Sequence, residues 1–192
     1  MSLMIAGLVI FLGCHLIGYG PAGIKAALTS RLGAGGYKGI YSLVSLAGFA
    51  LIIIGYGQAR MTPELLWPSP AWTRHATIAV MIPAMILLVA AYVPKNAIKA
   101  SLGHPMILSV KTWAFAHLIS NGTLTDLILF GSFLAWAVLA FIVSRRRDRA
   151  NPPEPVAVST AATIVCVVAG SAVWAVLLMG GHRLLIGVSP WG

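Results

Sequence analysis

Apolar residues run in six blocks along this chain: Leu3–Tyr19, Gly39–Gln58, Ile78–Val93, Pro105–Ser120, Leu124–Val143 and Thr160–Met179. A helix that crosses the ~30 Å hydrocarbon layer needs about 20 mostly apolar residues. The blocks therefore predict an all-α, polytopic transmembrane bundle of about six helices in a single domain, residues 1–192. Lys111 interrupts the fourth block. If that block is re-entrant, five helices span. Two connections are long. Pro21 to Tyr37 opens on a proline, a good first-turn residue, and carries Ile24, Ala27, Leu28 and Leu32 at helical spacing. A short amphipathic helix on the membrane surface is expected near residues 21–34. The stretch RRRDRANPPEPV, within 145–158, reads as a basic anchor followed by a proline-rich loop.

Composition strengthens the membrane reading. Hydrophobic residues make up 59% of the chain and charged residues 9%, where a soluble domain carries roughly 25% charged. The first block could pass for a signal peptide, and Phe11-Leu12-Gly13-Cys14 resembles a lipoprotein cleavage box. No Lys or Arg precedes it, however, as a signal peptide requires, so it is read as a span. Orientation follows from the basic residues. Lys25, Arg31, Lys38, Lys95, Lys99, Arg145, Arg146, Arg147 and Arg149 fall in the odd-numbered connections, against Arg60, Arg74 and Arg183 on the other side. Both termini are thus expected on the outer side, with the protein in the bacterial inner membrane. The net charge of +9 reflects this bias and gives no nucleic-acid stripe, since aromatics do not interleave with it. Cys14 and Cys166 lie inside spans, match no disulfide or metal pattern, and read as packing residues.

Ionisable groups within spans are the functional candidates, because a polar group in hydrocarbon costs several kcal/mol unless it is paired. His75 and His182 sit at span ends, and His104 precedes a proline where it would cap the fourth helix. His15 and His117 lie well inside apolar runs. Trp113, His117 and Asn121 are spaced by four and share one helix face; His104 and Lys111 share another. Segment four thus carries two polar stripes and must turn at least one toward a cavity, a cofactor or another helix. Asp126 reads as a helix-start residue of segment five. A histidine pair on different helices is one way to hold b-type haem; interhelical hydrogen bonding is the other account of the same residues.

FLGCHL in the first block, YKGIYSLVSLAGFALIIIGYGQAR in the second, WPSPAWTRH before the third, HPMILSVKTWAFAHLISNG, LFGSFLAWAV and the closing HRLLIGV together resemble the NnrU family. These are bacterial membrane proteins linked to denitrification and nitric oxide metabolism. That family is in turn similar to the zeta-carotene isomerases, haem b membrane enzymes that isomerise a cis double bond by redox-dependent chemistry. The resemblance implies haem b with His15 and His117 as axial ligands. His104, His75 and His182 are the alternative ligands, and Trp113, Asn121, Lys111 and Cys14 line the site. It implies a hydrophobic substrate or a membrane redox partner. The isomerases carry a cysteine three residues before the second histidine; here that position is Ala114.

The topology constrains the His15–His117 pair, which stays the expected one with His104 as the second choice beside His15. With the first helix running inward and the fourth outward, the two differ in depth by roughly 10–15 Å at ~1.5 Å per residue. Among other functions, a non-enzymatic accessory factor for a respiratory complex is the alternative. His104-Pro105 faintly resembles the isoprenylcysteine methyltransferases, but no carboxylate follows before Asp126. No two-fold repeat of broken helices points to a transporter.

Overall fold

The structure is a computed structural model that describes residues 1–20 and 22–191. Its helices are α1 (Ser2–Leu16), α2 (Ala22–Ala59), α3 (Ala71–Tyr92), α4 (Ala97–Leu102), α5 (Pro105–Ser120), α6 (Leu124–Ala150), α7 (Thr160–Val176) and, after a π-helical turn at Leu177–Gly181, α8 (His182–Ile186). Among the described residues the only β pairing is an isolated bridge, Leu65 to Thr123. Each of the six expected blocks falls on a helix. Four stretches are long and apolar enough to cross a membrane: Gly23–Ala59, Ala71–Tyr92, Leu124–Ala150 and Thr160–Ile186. The helices α1 and α5, at 15 and 16 residues, are shorter than the ~20 a full crossing takes.

Neighbouring helices follow the order α2, α1, α6, α5, α3, α7. Small residues set the closest approaches. A Cβ on Gly7 would lie 2.6 Å from the Ile52 backbone nitrogen, and one on Gly48 would lie 2.8 Å from that of Phe11. Gly55 is pressed against Met4 in the same way. Without a hydrophobic drive between helices in lipid, such backbone contact is a main source of association. Gly170 makes the equivalent contact between α7 and Ile86 of α3, whereas Gly131 has nothing within 4 Å of its would-be Cβ. Buried hydroxyls add to it: Ser109 donates to the Ala84 carbonyl at 2.8 Å and Thr77 to that of Ala116 at 2.7 Å.

Two expected boundaries move. The helix expected near 21–34 is continuous with the second span in α2, apart from a break at Gly33, whose φ of 71° ends the helical path. Pro21 lies outside the described residues. The basic run expected in a loop belongs to α6 instead, which continues to Ala150. Arginine favours helix, and the stop comes only at Asn151, held extended at φ −137°, ψ 84° by the proline that follows.

The odd connections gather at one end of the bundle. Arg147 donates to the Gly18 and Gly20 carbonyls, and the Ser159 amide donates to the Lys95 carbonyl. The even connections meet at the other, where the Leu124 amide donates to the Glu64 carbonyl and Arg60 to that of Ile186. The nine basic residues therefore share one end, called the basic end below.

Candidate functional site

A cleft of about 850 Å³ opens at the basic end, between the turn after α1, the first part of α2 and the N-terminus of α5. His15 lines it from the last turn of α1 and His104 from the N-cap of α5. His15 Nδ1 lies 2.7 Å from the Phe11 carbonyl oxygen. A carbonyl only accepts, so Nδ1 donates and Nε2 keeps its lone pair. The ring packs 4.2 Å from Phe11, 5.5 Å from Tyr41 and 6.0 Å from Trp136, centroid to centroid.

His104 stands at the expected N-cap position but makes no capping bond. Its Nε2 instead donates to Asp148 of α6 at 2.9 Å, and Nδ1 makes no hydrogen bond. Both cleft histidines thus have one nitrogen anchored and one free, the arrangement usual for metal-bound imidazoles. Trp136 forms part of the wall. It is 9% exposed, and its indole N–H has no acceptor among the described residues. A buried donor without a partner costs about 1–3 kcal/mol. Lys25 and Lys38 also line the cleft.

His117 is elsewhere. Thirteen residues of α5 separate it from His104, about 20 Å at 1.5 Å per residue. It stacks on Phe130 at 4.7 Å and lies 6.4 Å from His182 at the end opposite the basic one. Its Nδ1 donates to the Trp113 carbonyl at 2.9 Å, and His182 Nδ1 donates to that of Val188 at 2.7 Å. The structure thus groups His15 with His104 and His117 with His182. Among the described residues no hydrogen bond or ring contact joins His15 to His117. His75 is exposed at the start of α3.

The other candidates have found partners. Trp113 packs on Phe130 and Phe133, and Asn121 caps α5 by donating to the His117 carbonyl at 2.8 Å. Cys14 faces α2, where Ser45 Oγ donates to its sulfur at 3.5 Å. The Lys111 ammonium sits 5.6 Å from the Phe141 ring of α6. Both polar stripes of α5 therefore turn to α6. Asp126 is the helix-start residue expected, with Thr123 and Asp126 bonded reciprocally, and it also accepts from Tyr56 at 2.7 Å. That link between α2 and α6 was not visible in sequence, nor were Trp136, Tyr41 and Asp148. Tyr37, Lys38 and Tyr41 at helical spacing were the one available signal.

Among the described residues no three His, Cys, Asp or Glu side chains converge on one point, so the protein alone builds no metal cage. A macrocycle that brings its own four donors needs only the one or two imidazoles that the cleft offers. No curated protein and no solved structure matches the chain. The family model described as NnrU protein matches residues 3–190, nearly the whole length, and the chain belongs to the NnrU family.

Proposed function

We propose that this chain is a b-type haem protein of the bacterial inner membrane, with the cofactor in the basic-end cleft, His15 as axial ligand and His104 as the second donor. One observation carries the reading: two histidines, each with one ring nitrogen free of any hydrogen bond, line the same cleft. The volume of about 850 Å³ lies within the range of roughly 300–1,000 Å³ usual for cofactor pockets. Lys25 and Lys38 complement the two propionates in charge. The basic end is the cytoplasmic one by the bias of its nine cations.

Bound haem supplies one-electron redox chemistry. The chain's own part is to bind and exclude water. The Phe11 carbonyl and Asp148 would orient the His15 and His104 rings to hold the group, and Tyr41 and Trp136 pack around the His15 ring. The activity we propose is redox or isomerase-type turnover of a hydrophobic substrate that enters from the bilayer, in the nitrogen-oxide setting implied by the family resemblance. Ala114 is fully buried and offers no thiol, so chemistry that depends on a cysteine ligand at that position is not part of the proposal.

The test is a reduced-minus-oxidised spectrum with a pyridine haemochrome assay on detergent-purified protein. The wild type should show low-spin b-type haem, lost in His15→Ala and shifted to high spin in His104→Ala, with His117→Ala unaffected. Loss in His117→Ala but not in His104→Ala would move the second ligand to His117. A colourless wild type, expressed with ample haem, would overturn the reading and leave an accessory protein.

A further inference from the structure

A second concavity, about 320 Å³, lies on α6 at the basic end, lined by Phe141, Ile142, Arg145, Arg146 and Arg149. Three guanidiniums in one groove repel unless an anion joins them. The chain has only four acids, Glu64, Asp126, Asp148 and Glu154. Asp148 is engaged by His104 at 2.9 Å and Arg145 at 3.6 Å. Among the described residues, Arg146 and Arg149 have no carboxylate within ion-pair distance.

Lys111 lies beside the groove, its ammonium 5.6 Å from the ring of the lining residue Phe141. The contacts His104–Asp148 and Lys111–Phe141 set one antiparallel register between α5 and α6. Phe141 lies four residues, about 6 Å, below Arg145 along the helix, and a lysine stem spans that distance by snorkelling. At 27 residues α6 is about 40 Å long, some 10 Å more than the hydrocarbon layer. The excess puts its arginines at headgroup depth and Lys111 just beneath them. Toward the bilayer centre the arginine face continues as Ile142 and Leu139, exposed at 42% and 55%.

We propose that this groove binds one anionic glycerophospholipid. Arg145, Arg146 and Arg149 hold its phosphate, Lys111 reaches the same headgroup from inside the span, and the acyl chains lie along Ile142 and Leu139. Free phosphate would satisfy the cations but leave the adjoining apolar stripe unused. Basic pockets at the cytoplasmic ends of membrane helices are the usual sites for such headgroups. The groove shares no lining residue with the basic-end cleft, although Arg145 also pairs with Asp148, which holds His104.

The test is native mass spectrometry of the full chain, delipidated and titrated with phosphatidylglycerol, phosphatidylcholine or inorganic phosphate. One phosphatidylglycerol should bind at least tenfold more tightly than phosphatidylcholine. Affinity should fall at least tenfold in Arg146→Gln/Arg149→Gln and several-fold in Lys111→Met. The double variant Arg31→Gln/Lys95→Gln, which removes the same charge elsewhere at the basic end, should bind as the wild type does. Equal binding of phosphatidylcholine, binding of inorganic phosphate as strong as that of the lipid, or an equal loss in the Arg31/Lys95 variant would each overturn the proposal. The wild-type headgroup comparison holds even if a variant misfolds.

Discussion

Replacing Gly48 with alanine probes the seam on which the first third of the bundle rests. The new methyl carbon would sit 2.8 Å from the Phe11 backbone nitrogen and 3.1 Å from its Cα, where ordinary contact begins at 3.4 Å. The obstacle is backbone, so no rotamer change relieves it, and α1 must move away by at least 0.6 Å. Overpacking of this kind costs about 1–3 kcal/mol. Alanine also favours helix over glycine by about 0.8–1.0 kcal/mol, which masks part of the loss. Gly57 supplies the correction, since it lies in the same helix with nothing within 4 Å of its would-be Cβ. Gly48→Ala should therefore be less stable than Gly57→Ala by about 1–3 kcal/mol, the propensity term having cancelled. Gly55→Ala should behave like Gly48→Ala. The double variant should cost less than the sum, because one shift of α1 relieves both clashes. Equilibrium unfolding in mixed detergent–denaturant micelles, followed by tryptophan fluorescence, measures the difference. Equal stability of Gly48→Ala and Gly57→Ala would refute close backbone contact between α1 and α2.

Other links give smaller or differently placed effects. Tyr56→Phe removes the hydroxyl bonded to Asp126 and should lower stability by about 0.6 kcal/mol, the average for hydrogen bonds between membrane helices, and by no more than about 1.7; no change in the same unfolding assay would show that the bond is not formed. Asn96 is 1% exposed, donates to the Ala90 and Val93 carbonyls and caps α4 through the Lys99 amide. Asn96→Ala should cost about 2–4 kcal/mol, read as early proteolysis of the connection between α3 and α5. Asp148→Asn should leave helix content intact while weakening the hold on the His104 ring; in haem-loaded protein this predicts about a 10–100-fold weaker cofactor affinity by competition with apomyoglobin.

Helix positions were legible along the chain because each apolar run must satisfy its backbone internally once it leaves water, and in lipid a helix does this locally. The start of α6 at Thr123 with Asp126 was written in adjacent residues in the same way, whereas its end at Asn151 lies beyond the basic run expected in a loop. The grouping of the odd connections at one end followed from the count of basic residues. What faces what was not legible. In a soluble protein the polar stripe of a helix marks its outer side, but lipid accepts apolar residues on every side, so Trp136 in the cleft looked no different from Trp72 at the surface. The chain told the inner His15 and His117 from the terminal His104 and His182, but not which histidines share an end of the bundle. The antiparallel run of α5 along α6 separated them, because a helix rises about 1.5 Å per residue and so puts two histidines thirteen residues apart at opposite ends. Lys111 and Asp126 found their partners only through that same packing, on residues 30 and 70 positions away in the chain. Local chemistry thus determined the helices and their ends, while the neighbours of each buried polar group were decided by which helices lie side by side.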